Sequence, residues 1–184
     1  MDKRLVGSGT GRAALGLSGF GREVVAELES NRVIVDLAHM SAAGVRDALP
    51  LLRRPFTLSH TGLTSVAGGR SRWRRYSPAT RNVSPDVAAA VGKGGGLLGV
   101  VLATQLLGGD TLADVARTVR AAVDAAGAEN VAIGSDTDGA LRMAVSPSGL
   151  PALGDALAEA GLSPATVDGV MGGNALRFLR GALA

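Results

Sequence analysis

Short runs of unbroken apolar residues alternate along this chain with longer stretches in which apolar positions recur every three or four residues. Val33-Ile34-Val35 and Leu97-Leu98-Gly99-Val100-Val101-Leu102 do not alternate with polar residues, the pattern of strands covered on both faces in a parallel sheet. Strands are expected over 32–38, 55–59, 96–102 and 130–135. Helical periodicity follows each, from about Ser41 to Leu52, Ser84 to Val91, Thr111 to Ala126 and Gly149 to Ala160. Further helices are expected near 164–171 and 173–182, and one over Arg22 to Glu29 that Ser18 would cap. Four consecutive parallel strand and helix units make this an α/β chain. They fit either a small doubly wound sheet or half of a (β/α)8 barrel, which takes about 250 residues, and periodicity does not separate the two.

Residues 1–16 read as an irregular, glycine-rich lead to one domain over 17–184. Gly7-Ser8-Gly9-Thr10-Gly11 has no strand before it and lacks the full dinucleotide spacing, so it is not read as a phosphate cradle. With no cysteine, neither disulfides nor thiolate metal sites are available. The core draws on Ala, Val and Leu, since the chain holds only five aromatic residues against 27 glycines. No run reaches the length needed to cross a bilayer, and Met1 to Gly7 lacks the apolar stretch of a secretory signal, so a cytoplasmic protein is expected.

The net charge of +3 comes from one place. Arg70, Arg72, Arg74, Arg75 and Arg81 lie within twelve residues, and the 14 remaining Lys and Arg stand against 16 Asp and Glu. That segment also holds Trp73 and Tyr76, and arginines interleaved with aromatics can bind nucleic acid. Gly68-Gly69 and Ser77-Pro78 bracket it with turn formers, and a solvated loop is the reading adopted.

The candidate chemistry lies at the strand ends. The chain has two histidines, His39 and His60, and each follows or ends an expected strand; Asp136 ends another. Neutral imidazole is the commonest protein ligand for zinc, and α/β folds gather their chemistry at the carboxyl ends of parallel strands. Alternation points Asp36 away from the face used by His39, so Asp36 is expected to orient a neighbouring group rather than bind metal.

Taken together, Asp36-Leu37-Ala38-His39, Ser59-His60-Thr61, Arg81-Asn82-Val83-Ser84-Pro85-Asp86, Gly134-Ser135-Asp136-Thr137-Asp138-Gly139 and Gly172-Gly173-Asn174-Ala175-Leu176-Arg177 resemble the membrane dipeptidase (renal dipeptidase-like) family of zinc metallopeptidases. The resemblance runs from about Leu17 to Leu183 and corresponds to the carboxyl-terminal half of that family's barrel. It implies a partial TIM-like (β/α) barrel, zinc as cofactor and a dipeptide as substrate. By the same resemblance His39 and His60 would bind metal, Arg81 would hold the substrate's terminal carboxylate, and Asp136 would serve catalysis by contacting the substrate amine or the attacking water. Asp138 would shape the Asp136 loop with Gly139, Asn174 and Arg177 would pin the last helix, and residues 70–81 would be an insertion.

The family's other metal ligands, a His-x-Asp pair and a bridging glutamate, and a further substrate-contacting histidine belong to strands upstream of this stretch. Two histidines cannot supply them. The expectation is a metallodipeptidase half-site, inactive alone and active only if an amino-terminal half-barrel partner supplies the missing strands and ligands, with a homodimer as a further candidate partner; the alternative is a non-catalytic fragment that folds or binds without hydrolysing anything. The strand bearing Val33, Ile34 and Val35 would then be an edge inviting association.

Overall fold

The computed structural model describes residues 15–67, 78–138 and 141–184. The lead over 1–14, the segment 68–77 with Arg70, Arg72, Trp73, Arg74, Arg75 and Tyr76, and Gly139 lie outside the described residues.

Hydroxyl residues start the helices, because a side-chain oxygen can accept one of the backbone N–H groups that the first turn leaves unpaired. Ser18 caps α1 (Gly19–Ser30), Ser41 caps α2 (Ala42–Ala48), Ser84 caps α4 (Pro85–Lys93) and Thr111 caps α6 (Leu112–Ala126). Two short helices were not expected from the periodicity: α3 (Pro78–Arg81) and α5 (Thr104–Leu107). α3 corrects the reading of Arg81 as part of a solvated loop, since its side chain is tucked into the fold at 6% exposure.

A parallel sheet of three strands, β1 (Thr57–Thr61), β2 (Leu97–Val100) and β3 (Val131–Ile133), runs in chain order. The strand expected over 32–38 is a correction. Asp36 makes one isolated parallel bridge with Thr57, flanked by Leu37 N–H donating to Thr57 O at 2.8 Å and Thr57 N–H donating to Val35 O at 2.9 Å. Both ends of the segment are claimed by other bonds. Arg32 takes a left-handed φ of 58° and closes α1, with Val33 N–H bonded to Leu28 O and Arg32 N–H to Glu29 O, the pattern of a Schellman cap. At the other end the Asp36 carboxylate accepts Ala38 N–H and turns the chain toward His39. Only about three residues remain extended.

β1 carries a bulge. Leu58 pairs with Leu98 and Thr61 with Val100, so three steps on β1 oppose two on β2, with Ser59 and His60 in the irregular stretch. The Ser59 carbonyl occupies the space where a side chain would start at Gly99 of β2 and at Gly134 just after β3. A β-carbon there would lie 1.9 and 1.8 Å from that oxygen.

Behind the sheet, α4 packs on α6, and α6 on α7 (Leu150–Glu159). α6 buries Val115, Ala116, Thr118, Val119, Ala122 and Ala126 on one side, as its period predicts. After α8 (Pro164–Asp168), which ends three residues short of the helix expected near 164–171, the chain makes one wide turn over 169–173 before α9 (Asn174–Ala182), the helix expected near 173–182. Leu176 and Leu179 on α9 and Leu183 just after it are exposed, and Phe20 and Val33 are exposed as well. Among the described residues no helix is long and apolar enough to cross a membrane.

The α6 cap yields a test. Thr111 Oγ1 accepts Asp114 N–H, while the Asp114 carboxylate accepts the Thr111 N–H and hydroxyl and an Arg117 N–H. The Thr111 bonds, then Arg117, hold the Asp114 carboxyl at about 2. A carboxyl whose folded value is depressed stabilises the fold above its unfolded value near 4, and loses that contribution as pH falls toward 2. Thr111→Ala is therefore expected to cost about 1 kcal/mol at pH 7. The gap from wild type should narrow between pH 4 and 2, read from urea midpoints; a gap independent of pH would contradict the cap's ionic component.

Candidate metal centre

His39, His60 and Asp136 meet at one end of the sheet, where the carboxyl ends of 35–37, β1 and β3 lie together. His39 follows the Asp36 turn, and the bulge of β1 sets the direction of His60. His60 Nε2 lies 2.9 Å from His39 Nε2, with ring centroids 4.8 Å apart and planes inclined by 66°. Asp136, three residues beyond β3, reaches across the end of β2 and places Oδ2 3.9 Å from His60 Nε2. Backbone conformation contributes: His39 has φ 67° and Asp136 φ 56°, both left-handed, and Asp138 follows at 68°.

Arg81 stands behind the imidazoles. Its Nη2 donates to the His60 carbonyl at 3.4 Å. Burial, and then the Arg81 charge, push His39 below the ordinary imidazole value; the His60 ring adds to this, and Asp136 and Asp36 oppose it. For His60 burial again leads, with Asp136 opposing, Arg81 lowering and Asp36 opposing. Both rings are therefore neutral near pH 7, the form that ligates metal.

Asp36 lies outside the converging trio, separated from His39 by the turn its own carboxylate makes rather than by strand alternation. Its Oδ1 accepts both Ala38 N–H and Ser59 N–H at 3.0 Å, and its Oδ2 accepts the Ser59 hydroxyl at 2.6 Å. Ser59 Oγ is in turn 2.9 Å from His60 Nδ1. Ser59 stands in the Ser59-His60-Thr61 motif, but nothing in the sequence assigns it this bridging role. Asn174 and Arg177 sit at the opposite, amino end of β3: Asn174 Nδ2 donates to Ala128 O and Val131 O at 2.7 Å, and Arg177 bonds Asn174 Oδ1 and Glu129 O.

The donor chemistry fits a divalent metal in part. Two nitrogens that each bind a tetrahedral zinc at about 2.0–2.1 Å lie about 3.3–3.4 Å apart, so the two Nε2 atoms, now at hydrogen-bond distance, need to part by only about 0.4 Å. Carboxylate support behind a ligating imidazole is the usual arrangement. Among the described residues, no group of three His, Asp or Glu side chains has the geometry to hold a metal by itself.

A profile of the family described as membrane dipeptidase (peptidase family M19) matches residues 6–183. Similar curated proteins include Dipeptidase aclJ of Aspergillus oryzae, 31% identical over 175 residues that cover 89% of this chain and 38% of that protein. Dipeptidase 3 of Macaca fascicularis is 31% identical over 179 residues, covering 91% of this chain and 33% of that one. Among solved structures, the metallo peptidase from Rhodobacter sphaeroides liganded with a phosphinate mimic of the dipeptide L-Ala-D-Ala superposes with a TM-score of 0.78 at 26% identity, over 96% of this chain and 49% of that one. The chain thus spans about a third of the length of these curated relatives and about half of that solved structure.

Proposed function

The chain belongs to the membrane dipeptidase family, and on that premise we propose that residues 17–184 are the carboxyl-terminal part of a TIM-like barrel carrying half of a metallodipeptidase site. The observation that supports this most directly is the convergence of two imidazoles, 2.9 Å apart between their Nε2 atoms, with an aspartate beside them at the carboxyl ends of parallel strands.

In this reading His39 and His60 hold a zinc ion through Nε2. Zinc, when bound, polarises a peptide carbonyl and makes hydroxide available near neutral pH. Arg81 keeps a fixed positive charge beside the imidazoles and receives the carboxylate of a dipeptide, whose two oxygens match a guanidinium fork. Asp136 orients the substrate amine or accepts a proton from the attacking water. A dipeptide is the substrate class the family match points to, and Arg81, whose Nη2 bonds the His60 carbonyl, is the cation beside the imidazoles to which the substrate's carboxylate is assigned.

His39 and His60 supply two ligands where an ordinary catalytic zinc site has three, and Asp136 does not complete a donor trio among the described residues. The remaining donors come from further polypeptide, an amino-terminal half-barrel that pairs along the edge at residues 35–37. A non-catalytic fragment is the second reading, favoured by the lack of a self-sufficient donor trio among the described residues.

The 184-residue chain, purified and supplied with zinc, is expected to hydrolyse no simple dipeptide above background and to gain turnover when polypeptide carrying the missing donors is added. Hydrolysis by the chain alone, abolished in His60→Ala, would show that the half-site reading is wrong. No gain from any added half would favour the non-catalytic one.

A further inference from the structure

We infer that Asp36 and Ser59 form a positioning relay that fixes His60 as the tautomer protonated on Nδ1, leaving the Nε2 lone pair directed at His39 and Asp136. The inference rests on the reading of His39 and His60 as metal ligands but is argued from hydrogen-bond chemistry alone. A carboxylate can only accept, and a serine hydroxyl has one proton to give. The Ser59 hydroxyl gives that proton to Asp36 Oδ2 at 2.6 Å. Ser59 Oγ can then only accept from His60 Nδ1, 2.9 Å away, so that nitrogen carries the ring proton and Nε2 carries none.

His39 is set by the consequence. With His60 Nε2 bare, the 2.9 Å contact between the two Nε2 atoms requires a proton on His39 Nε2 in the metal-free chain. Metal loading therefore changes the tautomer of His39 and leaves that of His60 untouched. The same carboxylate also fixes both approaches to the site. Through Oδ1 it holds Ala38 N–H, one residue before His39, and Ser59 N–H, one residue before His60. Asp36 is exposed, yet these three donors hold its carboxylate in place.

The division of labour between the two oxygens makes the relay reversible by one atom. In Asp36→Asn, Oδ1 keeps its two backbone donors, and the amide nitrogen takes the place of Oδ2. That nitrogen donates to Ser59 Oγ, the Ser59 hydroxyl turns to His60 Nδ1, and the ring proton moves to Nε2. The fold keeps its staple, and the ligand lone pair is lost.

The experiment is long-range nitrogen–proton correlation NMR on the metal-free, histidine-labelled full chain, with zinc titrated calorimetrically into the same samples. Expected are His60 protonated on Nδ1 and His39 on Nε2 in the wild type, His60 switched to Nε2 in Asp36→Asn, and mixed tautomers in Ser59→Ala. Zinc affinity should drop about 10–100-fold in both variants and recover in Ser59→Thr. His60 protonated on Nε2 in the wild type, or wild-type tautomers kept in Ser59→Ala, would overturn the relay. If Asp36→Asn fails to fold, Ser59→Ala and Ser59→Thr carry the test by themselves. Expected tautomers with no zinc bound by the wild type support the relay and count instead against the metal-site reading.

Discussion

Gly134→Ala is expected to destabilise the chain by about 3 kcal/mol, the upper end of the usual cost of overpacking, and to dismantle the candidate metal centre at the same time. The new methyl carbon would lie 1.8 Å from the Ser59 carbonyl oxygen and 2.8 Å from the Gly99 Cα, so backbone blocks it on both sides. Relief requires the bulge of β1 to move by more than an ångström. That bulge carries Ser59 and His60, so the displacement separates His60 from His39 and Asp136. The check is a urea midpoint paired with a zinc titration. An alanine variant with wild-type values for both would mean that the carbonyl is not wedged between the strands.

Phe56→Ala should cost as much or more, about 3–5 kcal/mol, through the cavity it leaves. Phe56 is 2% exposed and is the largest fully buried side chain among the described residues. Its ring lies against backbone at Gly94 and Gly96, where even a β-carbon would come within 3.1 and 2.5 Å of ring atoms. Such a slot cannot collapse when the ring is removed, because its walls are main chain immediately before β2. Among the described residues the surrounding core is Val, Leu and Ala, with no other buried aromatic to fill it. A measured loss below about 1 kcal/mol would indicate that the 94–96 turn relaxes freely.

The helix starts were legible because each rests on one residue's chemistry: the hydroxyl oxygens of Ser18, Ser41, Ser84 and Thr111 each accept a backbone N–H where a helical period begins. The segment 32–38 was not, although Val33-Ile34-Val35 has the composition of a strand. Its extended length is set by a Schellman cap on Arg32, a position where glycine is the usual marker, and by the Asp36 side chain at the other end. Both are hydrogen-bond choices that apolar patterning does not encode. Arg81 was grouped with its arginine neighbours by spacing, yet the short turn of α3 carries it inward. At the site the two histidines and Asp136 were visible as polar endings to apolar runs. The device that aims His60 was not recognised, although Gly99 and Gly134 within or beside strands are the sequence mark of a bulge or a close backbone approach.

The left-handed backbone at His39 and Asp136 has a consequence for how far this chain can be stabilised. For a residue with a β-carbon that conformation costs on the order of 1–2 kcal/mol, somewhat less for aspartate, and glycine escapes it. Glycine at either position would relax the main chain while deleting the imidazole or the carboxylate that the conformation presents. Stability and candidate chemistry thus pull these two positions in opposite directions, and a search for hardier variants of this chain will reach glycine at 39 and 136 only by giving up the chemistry those residues carry.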